Sequence, residues 1–421
     1  KTGLVLTNAR TFMSGFDRPN IRYHVSPKKN AHTQLRNFIH QEHLNEAGIV
    51  YCLSRKRTED TADYLLKEGF SVLRYHAGMS LEARAANQNT FLYEEGIIIC
   101  ATVAFGMGID KSNVRFVAHL GFPRSIEAYY QETGRAGRDG LPADAWMIYG
   151  LQDVIALRKM IEAGNGSSKR KLIEDTKLDA MLEYCEDTCC RRQKLLNHLG
   201  ETLTRPCGNC DNCLCPAEIW DATEPVQKAL SCVYRTGQRF GANYLTDVLL
   251  GKDNQRIRSF GHHKLSIFGI GKKLTVSTWR SIFRQLIGKG FLRVETDTYG
   301  SLFLTEKSRP VLRSEKIVEL KCEKQKGKQK KTARFTETDT ERIEDKLWEA
   351  LTAKRQELAQ SQRVPPYVVF HDNSLREMAI RQPKTLADFS TITGVGAKKL
   401  QRYGSIFLSV LRDNEKPEIL N

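Results

Sequence analysis

The stretch GIVYCLSRKRTEDTADYLLKEGFSVLRYHAG, residues 48–78, decides the fold. Its first part, GIVYCL (48–53), is a short apolar run, TEDTADYLLKEG (58–69) repeats its apolar positions with helical spacing, and SVLRYHAG (71–78) is extended again. A strand, a helix and a second strand of this length predict a crossover between parallel strands. The alternation continues outward. LEARAANQNTFLYEEG (81–96) predicts a helix, IIICAT (97–102) and VRFVAHLG (114–121) predict buried strands, SIEAYYQETG (125–134) a helix and AWMIYG (145–150) a last strand. The expected architecture is an α/β lobe around a parallel sheet, with ligands at the loops beyond the carboxyl ends of the strands. Ser54, Arg55 and Thr102 fall on those loops.

Beyond residue 150 the strand pattern stops. Residues 151–200 are helical and charged, a cysteine cluster follows at 185–215, and a basic, mostly helical segment runs to WRSIFRQLIGKG (279–290). FLRVETDTYGSLFLT (291–305) alternates on both sides of a turn at Thr298, Tyr299 and Gly300, which predicts a β-hairpin. Helices closed by such a hairpin suggest a winged helix-turn-helix. Residues 314–340 are lysine-rich with little apolar content after Leu320, so they read as a flexible linker. The rest, 341–412, has helical period.

Charge sharpens this division. The 421 residues carry a formal net charge of +16 with 40% hydrophobic residues, so the chain has material for several packed domains and is not disordered. Residues 1–150 hold 18 basic and 15 acidic side chains, whereas residues 223–313 hold 16 basic and 6 acidic ones, a local excess of +10. Such a segment predicts a polyanionic partner, nucleic acid or an acidic surface. Arg256, Arg258, Lys264, Lys272 and Lys273 cluster within it. No run reaches the roughly 18 apolar residues of a membrane span, and KTGLVLTNARTF (1–12) is not a secretory leader, so a cytoplasmic setting is expected.

There, eleven cysteines are expected as thiols or metal ligands. CGNCDNC places Cys207, Cys210 and Cys213 at two-residue spacing, with Cys189 and Cys190 upstream. Three thiolates at that spacing turn around one metal, and a fourth from Cys190 or Cys189 completes a tetrahedron suited to structural zinc. An iron–sulfur cluster is the competing reading, but the last spacing of CGNCDNCLCP is one residue rather than three. ATVAFGMGIDK (101–111) puts Gly106, Gly108 and Asp110 after a strand, a turn whose amides suit the phosphate of a nucleotide or of a nucleic-acid backbone. YYQETGRAGRDG (129–140) sets Arg135 and Arg138 in a glycine-rich frame, and their forked donors suit phosphate. No GxxxxGK[ST] loop occurs anywhere to hold that phosphate. Tyr299 at the hairpin tip suggests a wedge against a terminal base pair, and Tyr367 a stacking platform for single strands. Lys398, in the GVGAKK turn, suits a backbone phosphate.

In order and at matching distances, GFDRPNIRY (15–23), GIVYCLSRKRTEDTADYL (48–65), YHAGMS (75–80), ATVAFGMGIDK and YYQETGRAGRDG resemble the second motor lobe of the RecQ family of DNA helicases. The resemblance runs on through the cysteine module, NQRIRSFGHHKL (254–265) and VPPYVVFHDNSL (364–375), the last similar to an HRDC domain. It implies the tail of a first motor lobe and hinge at 1–20, a RecA-like lobe at 21–152, a helical zinc module at 153–222, a winged helix at 223–313, the linker and an HRDC-like domain at 341–421. A family motor also has a first RecA-like lobe with the phosphate loop and Mg²⁺-binding motif, and neither motif is found in this sequence. By resemblance, then, Arg138 is the arginine finger and Arg135 a ground-state phosphate contact, on ATP held by that other lobe, with Gln131 positioning one of them. Ser54, Arg55, His76 and Thr102 grip the tracked strand without reading its sequence. The implied function is ATP-dependent 3′-to-5′ unwinding of forked or partial-duplex DNA in recombination and repair, with single-strand-binding protein among the implied partners. Two rivals are a DNA-binding module without ATPase and an RNA helicase lobe.

Overall fold

The computed structural model describes residues 15–106, 109–295, 300–322 and 345–414. Gly108, Tyr299, the first fourteen residues of the expected lobe tail and residues 323–340 of the expected linker lie outside them.

The α/β lobe, a motor lobe by resemblance, runs β1 (Ile21–Pro27), α1 (Ala31–Glu42), β2 (Gly48–Tyr51), α2 (Arg55–Lys67), β3 (Val72–Tyr75), α3 (Leu81–Tyr93), β4 (Ile98–Ala101), β5 (Phe116–His119), α4 (Ile126–Thr133) and β6 (Ala143–Tyr149). Among the described residues these strands form one six-stranded sheet, every pair parallel, in the order β1-β6-β5-β2-β4-β3. Strand period 2 sends neighbours to opposite faces. Val50 packs with Leu35, Phe38, Leu65 and Trp146 under α1 and α2, while Ile49 and Tyr51 pack with Phe91, Ile99 and Phe105 on the other face. β1 and α1 were not anticipated as elements. β1 is an edge strand with alternating burial, and its register with β6 runs from Ile21 opposite Ala143 to Pro27 opposite Tyr149.

The helical module holds α5 (Leu151–Ala163), α6 (Ser168–Glu186), α7 (Arg191–His198) and the short α8 (Asp211–Leu214). Then come β7 (Ile219–Asp221), α9 (Thr223–Arg235), α10 (Ala242–Leu250), α11 (Gln255–Ser259), α12 (Val276–Gly288), the antiparallel hairpin β8 (Leu292–Glu295) and β9 (Ser301–Leu304), α13 (Ser308–Leu312) and β10 (Glu319–Lys321). This is the expected winged helix, with one correction. β10 pairs antiparallel with β7, and Val318 and Leu320 are buried, so the segment read as linker from residue 314 begins as part of the packed unit. One continuous core joins Tyr23, Met147 and Tyr149 of the motor sheet to Met181 and Leu182 of α6 and to Trp279, Ile282 and Leu286 of α12.

The last unit comprises α14 (Asp345–Gln362), α15 (Pro366–Val369), α16 (Asp372–Arg381), α17 (Leu386–Ser390) and α18 (Ala397–Asp413) around its own core of Leu351, Phe370, Leu375, Phe389 and Phe407. It docks on the motor lobe. Arg355, 1% exposed, pairs with Asp372 within its unit at 2.6 Å and with Glu95 of the motor lobe. The Gln356 amide donates to the Tyr93 carbonyl at 3.1 Å, and Ser112 Oγ lies 3.2 Å from His371 Nδ1. Lys111, buried beside this contact, donates to the Glu94 carbonyl at 3.0 Å, and burial lowers its ammonium to about 8.

Candidate nucleotide, zinc and nucleic-acid sites

Arg135 and Arg138 leave the end of α4 toward the loop that follows β4. Arg138 Nη1 donates to the Ile109 carbonyl at 3.2 Å and to Asp110 Oδ1 at 2.7 Å, and both side chains are open to solvent. Arg135 lies deeper. Its guanidinium sits where a Cβ on Gly106 would approach Nη2 to 2.8 Å, so any side chain at 106 would displace it. The Nε of Arg135 is buried and has no hydrogen-bond partner among the described residues. An unmade bond on a buried donor costs about 1–3 kcal/mol, and a ligand's acceptor is one way to satisfy it. Gly106, Asp110, Arg135 and Arg138 thus come together at the carboxyl edge of the sheet. Gln131 does not join them: it is exposed on α4, with no hydrogen bond to either arginine among the described residues.

The sulfurs of Cys190, Cys207, Cys210 and Cys213 all lie within 4.8 Å of one another. Cys207 and Cys213 are 3.9 Å apart and Cys190 and Cys210 are 4.0 Å apart, against about 3.8 Å for a tetrahedron with Zn–S bonds of about 2.3 Å. Backbone amides stabilise the thiolates. The Arg191 amide donates to Cys210 Sγ at 3.3 Å, Cys207 to Cys190 Sγ at 3.2 Å and Asn209 to Cys207 Sγ at 3.3 Å. Hydrogen bonding from Cys207 outweighs burial and draws the Cys210 thiol below its usual value. The choice between neighbours falls on Cys190. Cys189 is exposed, its amide held by Asp187 and its carbonyl by Asn212, and its sulfur is not among the clustered four. This donor set fits structural zinc.

The zinc loop also grips the motor lobe. Asp211, next to Cys210, accepts the Val25 amide of β1 at 3.0 Å and is clamped by Arg191, while Arg192 donates to the Pro19 and Ile21 carbonyls at 3.1 and 2.7 Å. Spacing did not reveal this contact, since it joins segments nearly two hundred residues apart.

Of the expected strand-gripping residues, Arg55 is exposed at the start of α2, with its side chain over Gly78, and Thr102 directly follows β4. Ser54 is the N-cap of α2, accepting the Arg57 amide at 3.3 Å. His76 is 5% exposed, and both ring nitrogens are engaged, Nδ1 by the Gly78 amide and Nε2 opposite Glu59 at 3.2 Å. His76 holds the turn to Gly78 here, and the same imidazole chemistry serves a turn or a DNA contact in a bare sequence.

In the winged helix Arg256 is exposed over the Tyr244 ring at 5.3 Å, beside a groove lined by Asn243, Asp247, Asn254 and Gln255. Arg258 is exposed but paired with Asp253 at 2.5 Å. Lys264 and Lys272 are exposed on the segments that follow, and so is Lys273. Tyr367 is half-buried, its ring roughly parallel to His371 at 6.1 Å, and it faces the motor lobe within electrostatic reach of Asp110. Part of the ring stays open to solvent beside the contact between the two units. Lys398 is exposed in the first turn of α18.

Comparison with known proteins covers the chain in four blocks. Residues 30–140 match the helicase conserved C-terminal domain, 151–214 the RecQ zinc-binding domain, 216–329 the RQC domain and 344–411 the HRDC domain. The protein named ATP-dependent DNA helicase RecQ from Haemophilus influenzae is 41% identical over 413 residues, which are 98% of this chain and 66% of that protein. The proteins of the same name from Pasteurella multocida and Bacillus subtilis are 41% and 36% identical, over 98% and 97% of this chain and 65% and 67% of theirs. The chain therefore spans about two thirds of the length of these curated relatives. Among the described residues no helix is long and apolar enough to cross a membrane. With a parallel-sheet lobe, a four-cysteine zinc module, a winged helix and a docked helical unit each matched in turn, the chain belongs to the RecQ family.

Proposed function

We propose that this chain is the C-terminal part of an ATP-dependent DNA helicase that moves 3′ to 5′ and opens forked or partial-duplex DNA in recombination and repair. The observation that carries the reading is the pair of guanidinium groups at the sheet's carboxyl edge: Arg138 on a solvent-open rim, and Arg135 with a buried Nε that has no hydrogen-bond partner among the described residues. No phosphate loop in the 421 residues faces them. ATP and Mg²⁺ would be held by a first RecA-like lobe, and closure of the two lobes would trade the Asp110 carboxylate on Arg138 for the developing charge of the transferring phosphoryl group. Arg55 and Thr102 would hold the backbone of the tracked strand. Arg256, Lys264 and Lys272 would hold the duplex ahead of it by neutralising phosphates. Tyr299 would be the wedge, with single-strand-binding protein as a partner and the bacterial nucleoid as the place of work.

The test is ATP hydrolysis with single-stranded DNA by this chain alone and after addition of a separately made first lobe. No turnover is expected in the first case and DNA-stimulated turnover in the second. Tight DNA binding without turnover in both would favour a binding module instead.

A further inference from the structure

Motor lobe, zinc module and winged helix meet at one carboxylate. Glu186, the last residue of α6, is 4% exposed in a seam whose apolar packing is interrupted by Arg284, Gln285 and Lys321, and the Lys321 ammonium donates to the neighbouring Cys185 carbonyl at 3.4 Å. The hydroxyl of Tyr149, at the end of the motor's β6, donates to its Oε1, and Arg284 Nε of α12 reaches the same oxygen at 2.5 Å. The Arg284 guanidinium lies over the Tyr149 ring, 5.8 Å from its centroid. One turn further along α12, a Cβ on Gly288 would come within 2.7 Å of Glu186 Cγ, so the helix can ride this close only on a glycine. Gln285, beside Arg284, brackets the Lys321 backbone with bonds of 2.8 and 3.1 Å and ties β10 into the same joint.

Apolar packing alone would hold these units together without fixing their angle, because the hydrophobic effect has no direction. A buried ion pair adds little net stability, since desolvation offsets its attraction, but a carboxylate held by donors from two different units admits one arrangement. We propose that Glu186 is a positioning residue for duplex opening: it locks the winged helix to the second motor lobe, so that movement along one strand forces the duplex apart. This rests on the helicase reading above.

Two nearly isosteric variants test it, Tyr149→Phe and Glu186→Gln, made in a protein that joins a first motor lobe to this chain. Base pairs opened per ATP hydrolysed are measured together with DNA-stimulated turnover. Turnover is expected within about two-fold of the parent while the ratio falls roughly ten-fold, the scale of loss when a positioned element is released. A merely structural role would lower the melting temperature and leave the ratio alone. In this chain itself, a spin-label distance between Lys67 and Arg309, attached through an unnatural keto side chain, should broaden in both variants. A parent-like ratio and width in both folded, zinc-loaded variants overturns the proposal. If the parent opens no DNA, the helicase reading has failed, and the distance widths alone then decide whether Glu186 locks the joint.

Discussion

Arg138 and Asp110 show what a sequence gives away at the residue scale and what it withholds. The two arginines of GRAGRDG announce a phosphate, but their division of labour is set by depth, Arg138 on the rim and Arg135 behind Gly106, which depends on how α4 ends. Ser54 and His76 carry less in their residue type alone. A hydroxyl before a helix serves as a cap as readily as a DNA contact, and Ser54 caps α2. The cysteines were legible to within one position, and the turn made by Asp187 and Asn212 settles that position by facing Cys189 outward. Cys189→Ser should therefore retain one zinc per chain by metal analysis. Cys190→Ser should lose it and unfold at a clearly lower temperature, since structural zinc supplies folding free energy directly.

Elements with a strong internal period or a continuous apolar run were readable, while β1 at one sheet edge and the short β10 were not. β2, β4 and β5 are buried on both faces and stand out as apolar runs. β1, with half-buried Arg22 and His24 alternating with Ile21, Tyr23 and Val25, hides among polar residues, and β10 is three residues long at the rim of a lysine-rich stretch. Within the basic winged helix, side chains of equal formal charge are not equal. Arg256→Ala should lower the slope of log affinity against log salt for duplex DNA by about 0.9, one phosphate contact. Arg258→Ala should change it less, because Asp253 already neutralises that guanidinium. Fluorescence anisotropy across a salt series distinguishes the two.

Across the whole molecule, domain order was plain from the sequence, while docking was not. Glu95 and Arg355 stand 260 positions apart, and nothing local to either signals the other. Arg355 keeps its bonds to Asp372 and the Phe370 carbonyl when Glu95 is removed, so Glu95→Ala isolates the contact between units. The change should cost docking roughly 1.5–3 kcal/mol, the value of a charged hydrogen bond. Small-angle scattering should then report a larger radius of gyration, with zinc content and helicity unchanged. Buried Lys111 and half-buried Tyr367 beside this contact put the docked unit near Asp110, the partner of Arg138.

The central claim is that these guanidinium groups act on a triphosphate delivered by another lobe. Its most direct measurement is DNA-stimulated ATP turnover by a protein carrying both lobes, with Arg138→Ala compared against the parent. The account predicts a loss of about 10³–10⁵ in rate, the range for an arginine finger, with single-strand affinity unchanged. Turnover equal to the parent's in Arg138→Ala, and again in the double variant with Arg135→Ala, would contradict it.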